Sequence, residues 1–173
     1  SYTTGVVTAT VATTSIADLD DLTETGNAYT ITVADVSVTA TALNTVNDAT
    51  SVGVTATAVT AITGTNAELV ALFTADASNE VNIDGDAKLT VSDNITVAEA
   101  NVLNSYTTGV VTATISTTAI ADLDDIAGTG NAYTITVADA QVTAAALNTV
   151  NAATTVQVTA TAVTAITGTN TEL

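Results

Sequence analysis

The chain repeats itself, and that fact constrains its fold more than any other. Residues 1–69 return as residues 105–173, so SYTTGVVTAT at Ser1 reappears at Ser105, an offset of 104. Of the 69 paired positions 13 differ, and several changes are conservative: Val11/Ile115 and Leu22/Ile126 stay apolar, while Ser15/Ala119 and Ser37/Gln141 exchange small or polar residues. Self-similarity at a fixed period marks a repeat architecture, in which each unit buries its apolar face against its neighbours. The chain reads as a window of a longer array, with one repeat unit over 1–104 and a partial second unit over 105–173.

A shorter motif recurs inside the long period. A Thr-x-Thr (once Thr-x-Ser) occurs at Thr8/Thr10, Thr30/Thr32, Thr55/Thr57, Thr90/Ser92, Thr112/Thr114, Thr134/Thr136 and Thr159/Thr161. Successive spacings are 22, 25, 35 and 22, then 22 and 25 again. The residues between are apolar, as in Val7-Thr8-Ala9-Thr10-Val11, and period-2 alternation of β-branched residues predicts half-buried strands with threonine outward. Short helices are expected after each strand. Thr65-Asn66-Ala67-Glu68 and Thr96-Val97-Ala98-Glu99 read as capping boxes, Ser15-Ile16-Ala17-Asp18 is a weaker version, and Val38, Ala42 and Val46 fall at helical spacing.

One strand and one helix in 22–25 residues is the size of a solenoid coil of the leucine-rich-repeat kind. The expected fold is therefore an α/β solenoid of coils of about 22–35 residues, with a parallel sheet and right-handed crossovers. Coils should start near residues 6, 29, 52 and 88, then 110, 133 and 156. The third coil is longer, and its excess, residues 75–87 (ADASNEVNIDGDA), reads as a polar loop. At the strand spacing of roughly 4.8 Å, seven stacked coils span about 34 Å.

Composition bounds the partners. Eighteen carboxylates against Lys88 give a net charge of −17. Nucleic acid is excluded, because phosphate contacts need clustered Lys and Arg. Anionic membrane surfaces are excluded on the same ground, and no apolar run reaches the length of a membrane span. Threonine fills 41 of 173 positions and 47% of residues are hydrophobic, which fits a folded chain with a thin aliphatic core. With no cysteine, stacking rather than disulfides must hold the fold. An acidic, cation-poor, threonine-rich chain suits an extracellular setting, and Lys88 alone leaves trypsin-like proteases little to cut.

Three constellations could carry chemistry. Glu80, Asn82, Asp84, Gly85 and Asp86 follow the first half of a D-x-[DN]-x-[DN]-G calcium loop, in which alternating oxygens converge on a hard cation and glycine permits the turn. Glu stands at the first position, Val91 occupies the place of the bidentate glutamate, and Asp76 or Asp93 would complete the shell; the other reading is a solvated acidic turn. Asp18, Asp20 and Asp21, with Asp122, Asp124 and Asp125, form a second candidate cation site or simply helix-terminal carboxylates favoured by the dipole. Asp35, Asp93 and Asp139 read as turn residues. The threonine ladder (Thr8, Thr10, Thr30, Thr32, Thr55, Thr57, Thr112, Thr114, Thr134, Thr136, Thr159, Thr161) resembles the ice-binding faces of solenoid antifreeze proteins. It would equally suit glycan, mineral or a partner subunit, or serve only as a soluble sheet face. Asn94-Ile95-Thr96 is a lone glycosylation sequon. No enzyme is expected: His, Cys and Arg are absent, and although carboxylates alone can hydrolyse glycosides, these acids lie in separate turns.

The blocks YTITVADVSVTATALNTVNDAT, KLTVSDNITVAEANVLNSYTTG and GVVTATVATTSIADLDDL resemble the repeats of very large bacterial, notably cyanobacterial, surface proteins. That resemblance implies a secreted structural role in a surface layer, adhesin stalk, motility coat or extracellular filament. It also implies calcium as the cofactor, and as partners neighbouring repeats, identical subunits or cell-surface glycan.

Overall fold

The computed structural model describes residues 5–173. The chain is mixed α/β, built of short parallel strands and short helices, and it divides into two compact units, Ser1–Leu89 and Thr90–Leu173. The division falls inside a strand and not at the 104/105 boundary of the sequence repeat.

The first unit runs β1 (Thr8–Thr10), α1 (Ile16–Leu19), β2 (Ala28–Thr30), β3 (Ser37–Thr39), α2 (Ala40–Asp48), β4 (Val54–Ala56), β5 (Ala61–Gly64), α3 (Asn66–Ala77) and β6 (Val81–Ile83), and ends with the first two residues of β7 (Lys88–Ile95). The second unit holds the rest of β7, α4 (Val97–Tyr106), β8 (Val111–Ile115), α5 (Ile120–Leu123), β9 (Ala132–Thr134), β10 (Gln141–Thr143), α6 (Ala144–Ala153) and β11 (Ala165–Thr167). The largest sheet has five strands in the order β3-β5-β7-β8-β9.

Pairing follows sequence order. In the first unit Thr10 lies opposite Thr30, Val38 opposite Ile62 and Thr55 opposite Asn82. In the second, Thr114 lies opposite Thr134 and Val142 opposite Ile166. All these pairs are parallel. Their partner offsets run from 20 residues (Thr8 to Ala28) to 27 (Val54 to Val81). Parallel neighbours need a crossover connection, and the helices supply it.

Alternation decides which side of each strand is buried. Val54 and Ala56 are buried around exposed Thr55, and Val111, Ala113 and Ile115 are buried around exposed Thr112 and Thr114. The helices add one stripe each: Ala40, Leu43 and Val46 in α2, Leu69, Leu72, Phe73 and Ala75 in α3, Val97, Ala100 and Leu103 in α4. Burying a leucine or valine side chain contributes roughly 1.5–3 kcal/mol. Both expected capping boxes form: the Thr65 and Thr96 hydroxyls accept from the N–H of Glu68 and Glu99, whose carboxylates accept the threonine N–H in return. Gly64 is required by close approach, since a Cβ there would stand 2.9 Å from the Ala40 Cβ; Gly168 meets Ala144 at the same distance.

Three sequence expectations change. Most coils carry two short strands before the helix, not one, because β3, β5 and β10 each precede a helix that starts within a residue or two. Val38 accordingly belongs to β3, and the buried stripe of α2 is Ala40, Leu43 and Val46. Residues 75–87 are not an excursion: α3 continues to Ala77, β6 follows, and only a tight turn at Asp84–Asp86 precedes β7. Thr55 is therefore matched by Asn82 in β6 and not by Thr90. Three residues of alternation in β6 are too few to stand out of a polar stretch.

Candidate functional site

The threonine face exists, but it is broken. Every threonine of the expected ladder is exposed. In the first unit Thr10 pairs with Thr30, and Thr32 forms a parallel bridge with Thr55, which pairs with Asn82. In the second unit Thr114 pairs with Thr134 and Thr136 bridges to Thr159. Thr8 and Thr112 stand opposite Ala28 and Ala132 instead, and Thr57 and Thr161 lie in turns after their strands. The unequal offsets shift the columns, so a continuous double file of threonines does not form.

The acidic candidates do not gather. Glu80, Asn82 and Asp84 alternate with buried Val81 and Ile83 along and beside β6. Side chains two apart on a strand are separated by about 6.6 Å, whereas calcium oxygens sit at roughly 2.3–2.6 Å from one ion. Asp86 is exposed in the following turn, and Asp76, the expected completing ligand, accepts the Ile83 N–H at 2.9 Å. Asp18 accepts from the Thr13 hydroxyl at 2.9 Å; Asp20 and Asp124 close their one-turn helices, and Asp21, Asp122 and Asp125 are exposed. Among the described residues no three or more His, Cys, Asp or Glu side chains are grouped to hold a metal ion.

What the side chains do most consistently is tie one coil to the next. Asp35 Oδ2 accepts the Ile16 N–H at 2.7 Å, and Asp139 Oδ2 accepts the Ile120 N–H at 2.7 Å. These aspartates, read as turn residues, cap the one-turn helices of the preceding coil, whose own N-cap residues, Ser15 and Ala119, make no side-chain bond. Asn27 Oδ1 accepts the Val7 N–H and Asn131 Oδ1 that of Val111, both at 2.9 Å. Thr154 Oγ1 accepts from the Tyr133 N–H at 3.0 Å and donates to the Tyr133 carbonyl at 2.7 Å, and Thr50 does the same to Tyr29. Asn44 and Asn148 donate from their amides to the carbonyls of Glu68 and Glu172.

Retention between the repeats agrees with this ladder but does not single it out, since most paired positions are retained. Asp139, Asn131 and Thr154 survive in the second repeat while Ser15 has become Ala119 and Asp48 has become Ala152.

One ionisable group feels the ladder, and a second is held within its own turn. Glu68 is held below the usual carboxylate range, first by the Thr41 hydroxyl from the preceding coil and then by the Thr65 backbone and hydroxyl. Glu172 is lowered by Thr169, backbone first. The Tyr133 phenol is buried without a hydrogen-bond partner, and burial pushes it up to about 12.

Among the described residues no helix is long and apolar enough to cross a membrane. Compared with known proteins, the chain matches no family model, no curated protein and no solved structure. Its class is thus set by the fold itself: a mixed α/β repeat chain with parallel strands tied rung to rung.

Proposed function

We propose that this chain is a structural repeat segment of a secreted bacterial surface protein, in which coils stack as a right-handed solenoid. Its place would be a surface layer, an adhesin stalk or an extracellular filament. The observation that supports it is the inter-coil ladder: side chains bonded to groups 19 to 24 residues away make the same bonds in both units. Such nearest-neighbour bonding lets stability accumulate coil by coil, so length is the product. This reading assigns the chain no catalytic role.

Arrays of one, two and four repeats, measured by small-angle scattering, test this. The longest dimension should rise in proportion to repeat number; growth as the cube root, as for a sphere, would sink the reading. Images of the native assembly on intact cells should show threads, stalks or a lattice at the surface.

A calcium contribution rests on the carboxylates around the Asp84–Asp86 turn. A melting temperature that falls with chelator supports it, and an unchanged one removes Glu80, Asn82, Asp84 and Asp86 as ligands. The second reading is a binding face for ice, glycan or a partner subunit, favoured by the exposed, registered pairs Thr32–Thr55 and Thr136–Thr159. Inhibition of ice recrystallisation at micromolar protein, lost on Thr55→Tyr or Thr159→Tyr, would displace the purely structural role.

A further inference from the structure

The two repeats present the same coil twice, once covered and once open. In the second unit the coil carrying β8 and α5 is covered by β7 and α4. Ser116 donates to the Ile95 carbonyl through its N–H at 2.7 Å and its hydroxyl at 3.0 Å. Asn101 donates to the Asp125 carbonyl at 3.1 Å and accepts the Ala127 N–H at 2.7 Å, and Asn104 Oδ1 accepts from Asn131 at 2.8 Å.

The matching coil of the first unit, β1 and α1, shows its bare side. Ala9 is exposed where Ala113 is 6% exposed, and Val7 and Val11 are half-exposed where Val111 and Ile115 are buried. Among the described residues β1 pairs only with β2, and an unpaired edge with apolar residues along it is a template for another strand. We infer that this face is an interface shaped for a further strand-plus-helix segment of the Thr90–Asn104 kind, carried by another repeat of this sequence type. The inference rests on the array reading and names the partner of its open coil.

The chemistry of the fit is written in the covered coil. Ala12 stands for Ser116 and offers the same N–H; Asp21 stands for Asp125 and offers the same carbonyl; Thr23 stands for Ala127 and offers the same N–H; Asn27 stands for Asn131. One position differs in kind. Glu24 replaces Gly128, where φ is +81° and a Cβ would stand 2.7 Å from the Asn104 amide nitrogen. The arriving segment must therefore turn its asparagine side chain aside, a motion open to a flexible group.

The test fuses residues 70–104 ahead of Ser1 of the full chain, which restores the 104-residue spacing, with native Glu24 and with Glu24→Gly. Amide exchange is read at Ala12, with Ser116 in the same molecule as the internal standard. The expected result is a monomeric fusion in which the Ala12 amide slows by about tenfold or more against the unextended chain, further with Glu24→Gly. Fast exchange at Ala12 in both fusions, with Ser116 protected, overturns this inference and leaves the array reading standing. Fast exchange at Ser116 overturns both. Protection of Ala12 in the unextended chain that grows with concentration would make a second copy the occupant and overturn the assignment.

Discussion

The Asp139 carboxylate accepts the backbone N–H of Ile120 across 19 residues, at 2.7 Å, and so caps a helix that its own coil neighbour begins. A helix of four residues, α5, has too few internal bonds to persist alone, because nucleation costs more than one turn returns. Its first N–H is satisfied only from the next coil. Asp139→Ala should lower stability by about 1–2 kcal/mol in urea unfolding, the cost of a lost N-cap. Asp139→Asn, which keeps an acceptor oxygen, should lose less.

Thr154 is a buried member of the ladder, 9% exposed, and its hydroxyl serves both the N–H and the carbonyl of Tyr133. Thr154→Val keeps the shape and strands both groups, so about 1–3 kcal/mol should be lost. Thr154→Ser should recover most of it. The same change at half-buried Thr50 should cost less, because water can reach the abandoned groups.

At the acid end, Glu68 titrates below its ordinary value in the folded chain. A lowered carboxyl contributes stability that is present above the ordinary value of 4.5 and is lost as the pH falls through the folded value. The difference in urea midpoint between the chain and Glu68→Gln should therefore shrink steadily below pH 4.5. A difference that stays constant to low pH would show that the charge of Glu68 is not what Thr41 and Thr65 hold.

At the alkaline end, Tyr133 keeps its proton up to about pH 12 when folded, against 10.0 for an ordinary phenol. Its neutral form is favoured by the fold, so that stability is full below pH 10 and is lost as the pH rises towards 12. Tyr133→Phe should abolish this loss without destabilising the chain at neutral pH, because the hydroxyl has no partner to lose. Denaturant midpoints across the alkaline range, with tyrosinate absorbance alongside, give the check.

The parallel strands and the capping boxes were legible in the sequence, since β8 and Thr96–Glu99 carry their signals within a few residues. The second strand, where one precedes the helix, was not. β3 and β10 give three residues of alternation each and run straight into a helix, so their apolar Val38 and Val142 merge with the helical stripe. The ladder was hidden for another reason. Nothing local distinguishes Asp35 from a turn aspartate, because its partner, Ile16, is fixed only when coils come into register. The threonine face was legible as exposure and misleading as geometry: the residues point outward, but unequal offsets decide which of them stand side by side.

Near-identical repeats in one polypeptide face a hazard of mispairing, since any coil could dock on the wrong neighbour during folding. Gly53 bears on that hazard. A Cβ there would lie 2.8 Å from the Asn79 carbonyl, so β4 accepts the segment containing β6 only because the residue is glycine. The second repeat has Gln157 at the matching position, and a side chain of that size forbids the same approach. The duplicated segment has thus kept its scaffold and changed its lock: the chain around Asn79 fits the copy with Gly53 and not the copy with Gln157.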